Sequence, residues 1–422
     1  MSVLHENKHG WILDHQKSIK DTYRNVMCDL IRTDFTLKQE LFNIKVPFMM
    51  DSQFKALAQK KGIACRATST SNEALKIKKR KRKRNAELNE GEQRANEFHI
   101  HVKKTVLSAY NILLKDTDIF KTAKDECDNN VTARQLSVNL GPEDTLRNMC
   151  STSVGIIGTL ILKSGDSYKD VSNQLVSNNE DTPVMVKIMD GSYLIPPKSS
   201  FVMADARNLK LFTDILGKFN LIILDPPWEN KSVKRKKMYW TLSNEDLLML
   251  PVPELSAPDC IIGMWVTNRV KHIEFIIKEL FPKWKISYIT TWYWLKVTKY
   301  GEMVYNIESQ HKKPYELFIL GRHKSTDRVL LPDIPLDKTI ISIPSSLHSM
   351  KIPLHDALKC MVVCSDTYIR YHGVTFPTYR LCHTSMVSHT LTNLTVLWVC
   401  CFTYSVTNSI KEPFFDRKLG IC

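Results

Sequence analysis

The stretch "LIILDPPWEN", residues 221–230, decides how this chain is read. Its four aliphatic residues are too few for a helix and, bounded by turn-forming residues, fit a strand buried on both faces. The strand ends on a carboxylate, two prolines and a tryptophan. Just upstream, "SFVMAD" (200–205) reads as a second strand, and "RNLKLFTDIL" (207–216) puts Leu209, Phe212, Ile215 and Leu216 on one helical face, with Gly217 as the glycine that ends the helix. Together these make a β-α-β unit. Downstream, "CIIGMWV" (260–266) is another apolar strand, followed by the helical "KHIEFIIKELF" (271–281); "ISYITTWYWLKV", "YELFILG" and "TIISI" supply three more strands. Ser243 and Asp246 have the spacing of a capping box for a helix in "NEDLLML". Apolar strands alternating with amphipathic helices predict an open α/β architecture, a Rossmann-like fold with a mainly parallel sheet.

In such sheets ligands sit outside the carboxyl ends of the strands, where Asp225, Pro226, Pro227 and Trp228 fall. The prolines fix their own φ angles and bias the preceding residues towards extended backbone, so the turn presents its carboxylate and carbonyls rigidly. They also lack amide hydrogens, which predicts carbonyl acceptors without local donors. Acceptors beside an aromatic plane suit a flat group with two donor hydrogens, such as the exocyclic amine of adenine. That amine is a poor nucleophile, because its lone pair is delocalised into the ring. If Asp225 accepts one amine hydrogen and the Pro226 carbonyl the other, the nitrogen can pyramidalise and aim its lone pair at a methyl donor, with Trp228 stacked on an extruded base. The donor implied is S-adenosylmethionine, and no metal is required. The plainer reading of "DPPW" is a proline-rich turn with a buried tryptophan; its position at a buried strand's end favours the chemical one.

The composition agrees with a nucleic-acid partner. The net charge of +15 and a pI near 9.2 point to an anionic partner, although tails and linkers can carry such charge. "KIKKRKRKR" (76–84) must repel itself and stay solvated; it reads as a linker, a nuclear-import signal or a phosphate-binding arm. A second basic stretch, Lys231, Lys234, Arg235, Lys236 and Lys237, lies immediately after "DPPW", where phosphates would pass. The N-terminus lacks a secretory h-region and nothing before residue 380 approaches a membrane span, so nuclear or cytosolic residence is expected, with the eleven cysteines as reduced thiols. No C-x-x-C pair supports a zinc site.

The expected organisation is an N-terminal region without a readable motif (1–70), a basic linker (71–97), an accessory region (98–195), the α/β domain (196–358) and an atypical tail (359–422). In the accessory region, Ile100, Val102, Val106, Ala109, Tyr110 and Leu113 have a partly helical spacing. "VMVKIMDGSYLIPP" (184–197) reads as a hairpin turning at Asp190-Gly191. Trp292 and Trp294 share one strand face and read as core.

"DPPWENKSVKRKKMYW", "WVTNR" (265–269), "HKKPYE" (311–316) and "LHSMK" (347–351), in this order, resemble the eukaryotic adenine-N6 methyltransferase family with the Asp-Pro-Pro-Trp motif. The resemblance covers residues 196–358, under half the chain. It implies that Asp225, Pro226, Pro227 and Trp228 form the catalytic loop and that Asp205, Ala206, Ser349 and Lys351 contact S-adenosylmethionine. By the same resemblance, Asn230, Lys231, Lys234, Arg235, Tyr239, Asn268, Arg269, Lys313 and Glu316 meet the substrate. The implied target is adenine in RNA, in particular 2′-O-methyladenosine of spliceosomal small nuclear RNA, with adenine in DNA as the rival. Read without the resemblance, Asp205 could equally cap the following helix, and Lys351 alone carries little information.

The chain departs from the family after residue 348. Met350 and Ile352 stand where a histidine and a proline belong, and neither an E-L-F-A-R-like strand nor a G-W-x-S-W-G-N-E-like segment follows. A tail without them is expected to leave a sheet edge unpaired and to weaken cofactor contacts. That raises a different class of function, a scaffold with the same fold that binds RNA without catalysis.

Overall fold

A computed structural model describes residues 2–22, 33–48, 90–120, 130–139, 158–169, 171–188, 191–229, 241–309, 312–323, 333–347, 350–358, 361, 371–375, 396–400 and 415–419. The strands, in chain order, are β1 (Val3–Asn7), β2 (Gly10–Leu13), β3 (Thr33–Leu37), β4 (Gly158–Ile161), β5 (Ser167–Tyr168), β6 (Gln174–Asn178), β7 (Val184–Ile188), β8 (Gly191–Ile195), β9 (Ser199–Met203), β10 (Phe219–Asp225), β11 (Ser256–Val266), β12 (Ile286–Lys296), β13 (Tyr315–His323), β14 (Thr339–Ser342), β15 (Tyr371–Thr375), β16 (Val396–Cys400) and β17 (Phe415–Leu419). One twelve-stranded sheet runs β1-β2-β14-β12-β13-β11-β10-β16-β15-β9-β6-β4. Most of its pairings are parallel; β13 runs against both β11 and β12, and antiparallel pairs sit near each edge. This is the Rossmann-like α/β fold with a mainly parallel sheet that the strand pattern predicts.

The strand quoted at the outset lies inside this sheet for a physical reason. Side chains alternate between sheet faces, so an unbroken apolar run needs a core on each side. Leu221 and Ile223 enter one core with Trp265, Trp292, Trp294 and Phe318, while Ile222 and Leu224 enter the other with Ile262, Met264, Leu317 and Ile319. The core placement expected of Trp292 and Trp294 holds, both being fully buried. Gly263 admits the Phe318 ring over β11: a Cβ there would lie 2.0 Å from the ring.

The segment between β9 and β10 is mainly a 3-10 helix (Ala206–Phe212) followed by one α turn (Thr213–Leu216), ended as expected by Gly217 at φ 73°. Leu209, Phe212 and Leu216 face the core, but Ile215 is exposed, because the tighter 3-10 turn shifts the face that a 3.6-residue period would give it. The two strands point the same way yet are not adjacent: β15 and β16 lie between them. The expected unpaired edge is therefore corrected. The tail contributes two parallel strands, and β16 pairs along β10 from Leu221 opposite Val396 to Asp225 opposite Cys400.

The N-terminal residues, which carry no readable motif, also extend the sheet. β2 lies parallel to β14, and Gly10, at φ 150°, permits the approach, since a Cβ would sit 1.8 Å from the Thr339 carbonyl oxygen. The Ser2 amide and hydroxyl donate to Asp356 at 2.5 and 2.8 Å. The accessory helix runs Glu90–Lys115 and buries His99, Val102, Val106, Ala109 and Leu113, a three-four spacing that replaces Ile100 by His99 on the inner face. Ile100 is exposed. The hairpin β7–β8 forms, with its turn one residue earlier than read: Gly191 pairs with Ile188 as the first residue of β8. The capping box of Ser243 and Asp246 is present. Residues 76–84 lie outside the described residues.

Candidate active site

The C-terminal ends of β10, β11 and β12 meet the start of antiparallel β13, which brings Asp225, Asn268, Lys296 and Glu316 to one edge of the sheet. Lys351 arrives from the segment after β14 and is fixed by its neighbours. Met350 packs with Phe201, Met203 and the accessory hairpin, while Ile352 packs in the tryptophan-rich core. These two departures from the family pattern are apolar anchors that seat the residues on either side of Lys351 in two separate clusters.

Four ionisable side chains then form a chain that runs from the half-buried Lys296 and Glu316 through Lys351 to the buried Asp225. The Lys351 ammonium lies 3.4 Å from Asp225 Oδ2 and 3.1 Å from Glu316 Oε2, and Lys296 donates to Glu316 Oε1 at 2.5 Å. Aromatic faces support both lysines: Lys296 sits 4.2 Å over the Trp294 ring and Lys351 5.9 Å from that of Trp265. Burial dominates the protonation of Asp225 and, despite the opposing field of Lys351, pushes its carboxyl up to about 7. Burial would raise Glu316 too, but Lys296 and Lys351 more than offset it, so Glu316 is held well below the usual carboxylate range. The two acids therefore differ in role: Glu316 is the fixed anion, and Asp225 is poised near neutrality. Asp225 Oδ2 is buried and accepts no hydrogen bond. Its contact with Lys351 is an ion pair without hydrogen-bond alignment, which leaves an acceptor for an incoming donor.

The loop differs from expectation at its carbonyls. The Trp228 amide donates to the Pro226 carbonyl at 2.9 Å and the Leu242 amide to the Pro227 carbonyl at 3.3 Å, so both have local donors. The turn folds back tightly enough for the Trp228 amide to reach the first carbonyl, the returning chain at Leu242 supplies the second, and each carbonyl oxygen keeps a second lone pair. Trp228 is buried, its Nε1–H donates to the Trp265 carbonyl at 3.0 Å, and one side of its ring lies against His272 with centroids 4.8 Å apart. Burial, together with Arg269 and Lys271, lowers the His272 pKa to about 4, so the imidazole under the tryptophan is neutral. Arg269 closes the loop by donating to the Glu229 carbonyl at 3.3 Å, and Asn268 Nδ2 donates to the Tyr315 carbonyl at 3.0 Å.

Asp205 caps the helix after β9, accepting from the Arg207 amide at 3.0 Å and pairing with the Arg207 guanidinium, whose hydrogen bond holds its carboxyl below the usual range. Ala206 beside it is buried. Lys313 is set apart from the charge chain: its ammonium reaches the Ile307 carbonyl at 3.4 Å. Asn230, Lys231, Lys234, Arg235, Tyr239 and Ser349 lie outside the described residues. Sequence reasoning missed Lys296 and His272. Lys296 had a legible signal, a lysine ending an apolar aromatic strand at the edge where ligands sit; His272 had none, because only folding brings it under Trp228.

A carboxylate acceptor at a strand end, a buried indole and a lysine ammonium thus lie together at the carboxyl edge of the sheet. The chain belongs to the MT-A70 family, whose pattern matches residues 219–364. It is 33% identical over 350 residues to the N(6)-adenine-specific methyltransferase METTL4 of Mus musculus, covering 79% of this chain and 74% of that protein. A DNA N6-methyl methyltransferase of Caenorhabditis elegans is 31% identical over 360 residues, 82% of this chain and 87% of that protein. The N6-methyladenosine RNA methyltransferase MTA1 of Pyricularia oryzae is 32% identical over 182 residues, 41% of this chain and 48% of that protein.

Proposed function

We propose that this chain is an N6-adenine methyltransferase that uses S-adenosylmethionine and acts on RNA, with 2′-O-methyladenosine of small nuclear RNA as its target and the nucleus as its place of action. The observation that carries the reading is the buried Oδ2 of Asp225 at the end of β10, which is ion-paired with Lys351 but accepts no hydrogen bond and so can receive a donor hydrogen in a dry environment. Asp225 accepts one hydrogen of the adenine amine and the second lone pair of the Pro226 carbonyl accepts the other. The nitrogen is thereby held pyramidal, its lone pair directed outward. Stacking of the base on Trp228 would require part of the buried ring to be uncovered when substrate binds.

S-adenosylmethionine supplies an electrophilic methyl on a sulfonium. The residues present fit it: Asp205 is a carboxylate acceptor at the end of β9, and Lys351 is a cation able to meet a carboxylate. Asp205, Ala206, Ser349 and Lys351 would hold it. Glu316 keeps Lys351 beside Asp225, and water takes the proton, since the amine becomes acidic once methylated. Rate comes from positioning and electrostatics rather than from a covalent intermediate.

RNA is favoured over DNA by the resemblance of the motif set, and Lys231, Lys234, Arg235, Lys236 and Lys237 would carry the phosphates. A non-catalytic scaffold fits less well, because the tail strands fill the sheet beside Asp225. The test offers three oligonucleotides of one sequence: RNA with 2′-O-methyladenosine, unmodified RNA, and DNA. The expected order of turnover follows that list. Fastest turnover on DNA would move the substrate to the rival class.

A further inference from the structure

The accessory helix Glu90–Lys115 lies outside the family motif, yet its inner face ends beside the charge chain. Val102, Val106, Ala109 and Leu113 seat it in the main core, and Tyr110 Oη donates to the Gly301 carbonyl at 2.8 Å. One turn further back, His99 is buried with Nδ1 2.7 Å from Tyr315 Oη, and the two rings stack with centroids 5.9 Å apart and planes 10° from parallel. Tyr315 is the first residue of β13 and is itself buried. Its carbonyl accepts from Asn268 of the "WVTNR" turn, and the next residue is Glu316, which holds both Lys296 and Lys351.

We propose that His99 is a positioning residue for methyl transfer: its hydrogen bond to the Tyr315 hydroxyl locks the start of β13 and so sets the geometry of Glu316, Lys351 and Asp225. This rests on the active-site reading given above. The chemistry of the contact is demanding, because a phenol and an imidazole in a dry setting each lose a partner if the other is removed. The groups facing His99 are Tyr315, Lys313, Lys103 and Glu308. Burial, reinforced by Lys313 and Lys103, favours the neutral imidazole, so one ring nitrogen remains an acceptor. The accessory region then belongs to the catalytic unit. It reaches no reacting atom, but it decides whether the acceptor at Asp225 is correctly held.

The test compares His99→Phe, which fills the space without a polar atom, His99→Asn, whose amide can stand in for Nδ1, and Tyr315→Phe. His99→Phe and Tyr315→Phe are each expected to lower kcat by about tenfold while leaving the KM for the oligonucleotide within about twofold, as expected for misplacement of a reacting group. Combined, they should cost no more than either alone. His99→Asn should recover most of the loss. Hydrogen exchange followed by mass spectrometry gives a readout independent of turnover: peptides over 312–323 exchange faster in His99→Phe, and return towards wild type in His99→Asn. Unchanged kcat and unchanged exchange in His99→Phe would overturn the proposal. So would equal losses in the Phe and Asn variants that track their melting temperatures, because that is the mark of packing alone. An inactive wild-type protein would count against the active-site reading, and the exchange result would then decide this one.

Discussion

Asp225→Asn exposes the cost of holding a carboxylate in a dry strand end. The folded chain raises this carboxyl from the ordinary 3.8 to about 7, chiefly through burial. Because the folded-state value lies above the unfolded one, the folded chain binds the proton more tightly, and the stability this contributes is complete below about pH 3.8 and disappears as pH rises through about 7. At about 1.4 kcal/mol per tenfold change in proton affinity, the swing is about 4 kcal/mol between those limits. Asparagine does not ionise, and Lys351 keeps Glu316 as a partner at 3.1 Å. Wild type should therefore lose stability relative to Asp225→Asn as pH rises, and the variant should be the more stable protein at pH 8. Urea unfolding of both proteins at pH 4.5, 6 and 8, read as the difference in free energy at each pH, measures this directly. Group-specific effects common to both proteins cancel in the difference. A difference that changes by less than about 1 kcal/mol across this range would refute the reasoning, because it would mean that Asp225 is ionised at no cost.

The same ionisation governs activity in the opposite sense. Accepting the amine hydrogen requires the carboxylate, so kcat/KM should fall on the acid side with a limb near pH 7; Glu316→Gln, which removes a charge that raises the Asp225 pKa, should move the limb to lower pH, and a limb that stays in place would separate the two acids. Gly263→Val should cost several kcal/mol or prevent folding, since its first side-chain atom would fall 2.0 Å from the Phe318 ring; a melting temperature within about 2 °C of wild type would contradict the packing. Replacing Lys231, Lys234, Arg235, Lys236 and Lys237 by serine should weaken oligonucleotide binding and flatten its dependence on salt; an unchanged slope would show that these residues do not meet phosphates.

The parts of this structure legible from the sequence were those written in local pattern. Continuous apolar runs gave β9 to β14, and the turn after β10 marked the site because strand ends in open α/β sheets face their ligands. The helix 90–115 and the hairpin 184–195 showed through periodicity, with errors of one position: the register of an amphipathic face or a turn is finer than the pattern that announces it. Illegible were the partners made by folding. Val3–Leu13 carries no motif, and only the room at Gly10 explains its seat against Thr339. The tail lacks the closing segments of the family pattern, yet strand pairing is made by backbone groups, so β15 and β16 can fill the sheet without them. Lys351 carried little meaning alone. Its meaning comes from Asp225 and Glu316, which lie 126 and 35 positions away in the chain and beside it in the fold.

The account stands on Asp225 as the acceptor that prepares an adenine amine for methyl transfer. The most direct measurement incubates the purified chain with isotopically labelled S-adenosylmethionine and an adenine-containing RNA, digests the RNA, and quantifies labelled N6-methyladenine by mass spectrometry, for wild type and Asp225→Asn. The account predicts labelled product from wild type and none from a variant that is folded. Equal product from both would remove Asp225 from the chemistry and the account with it.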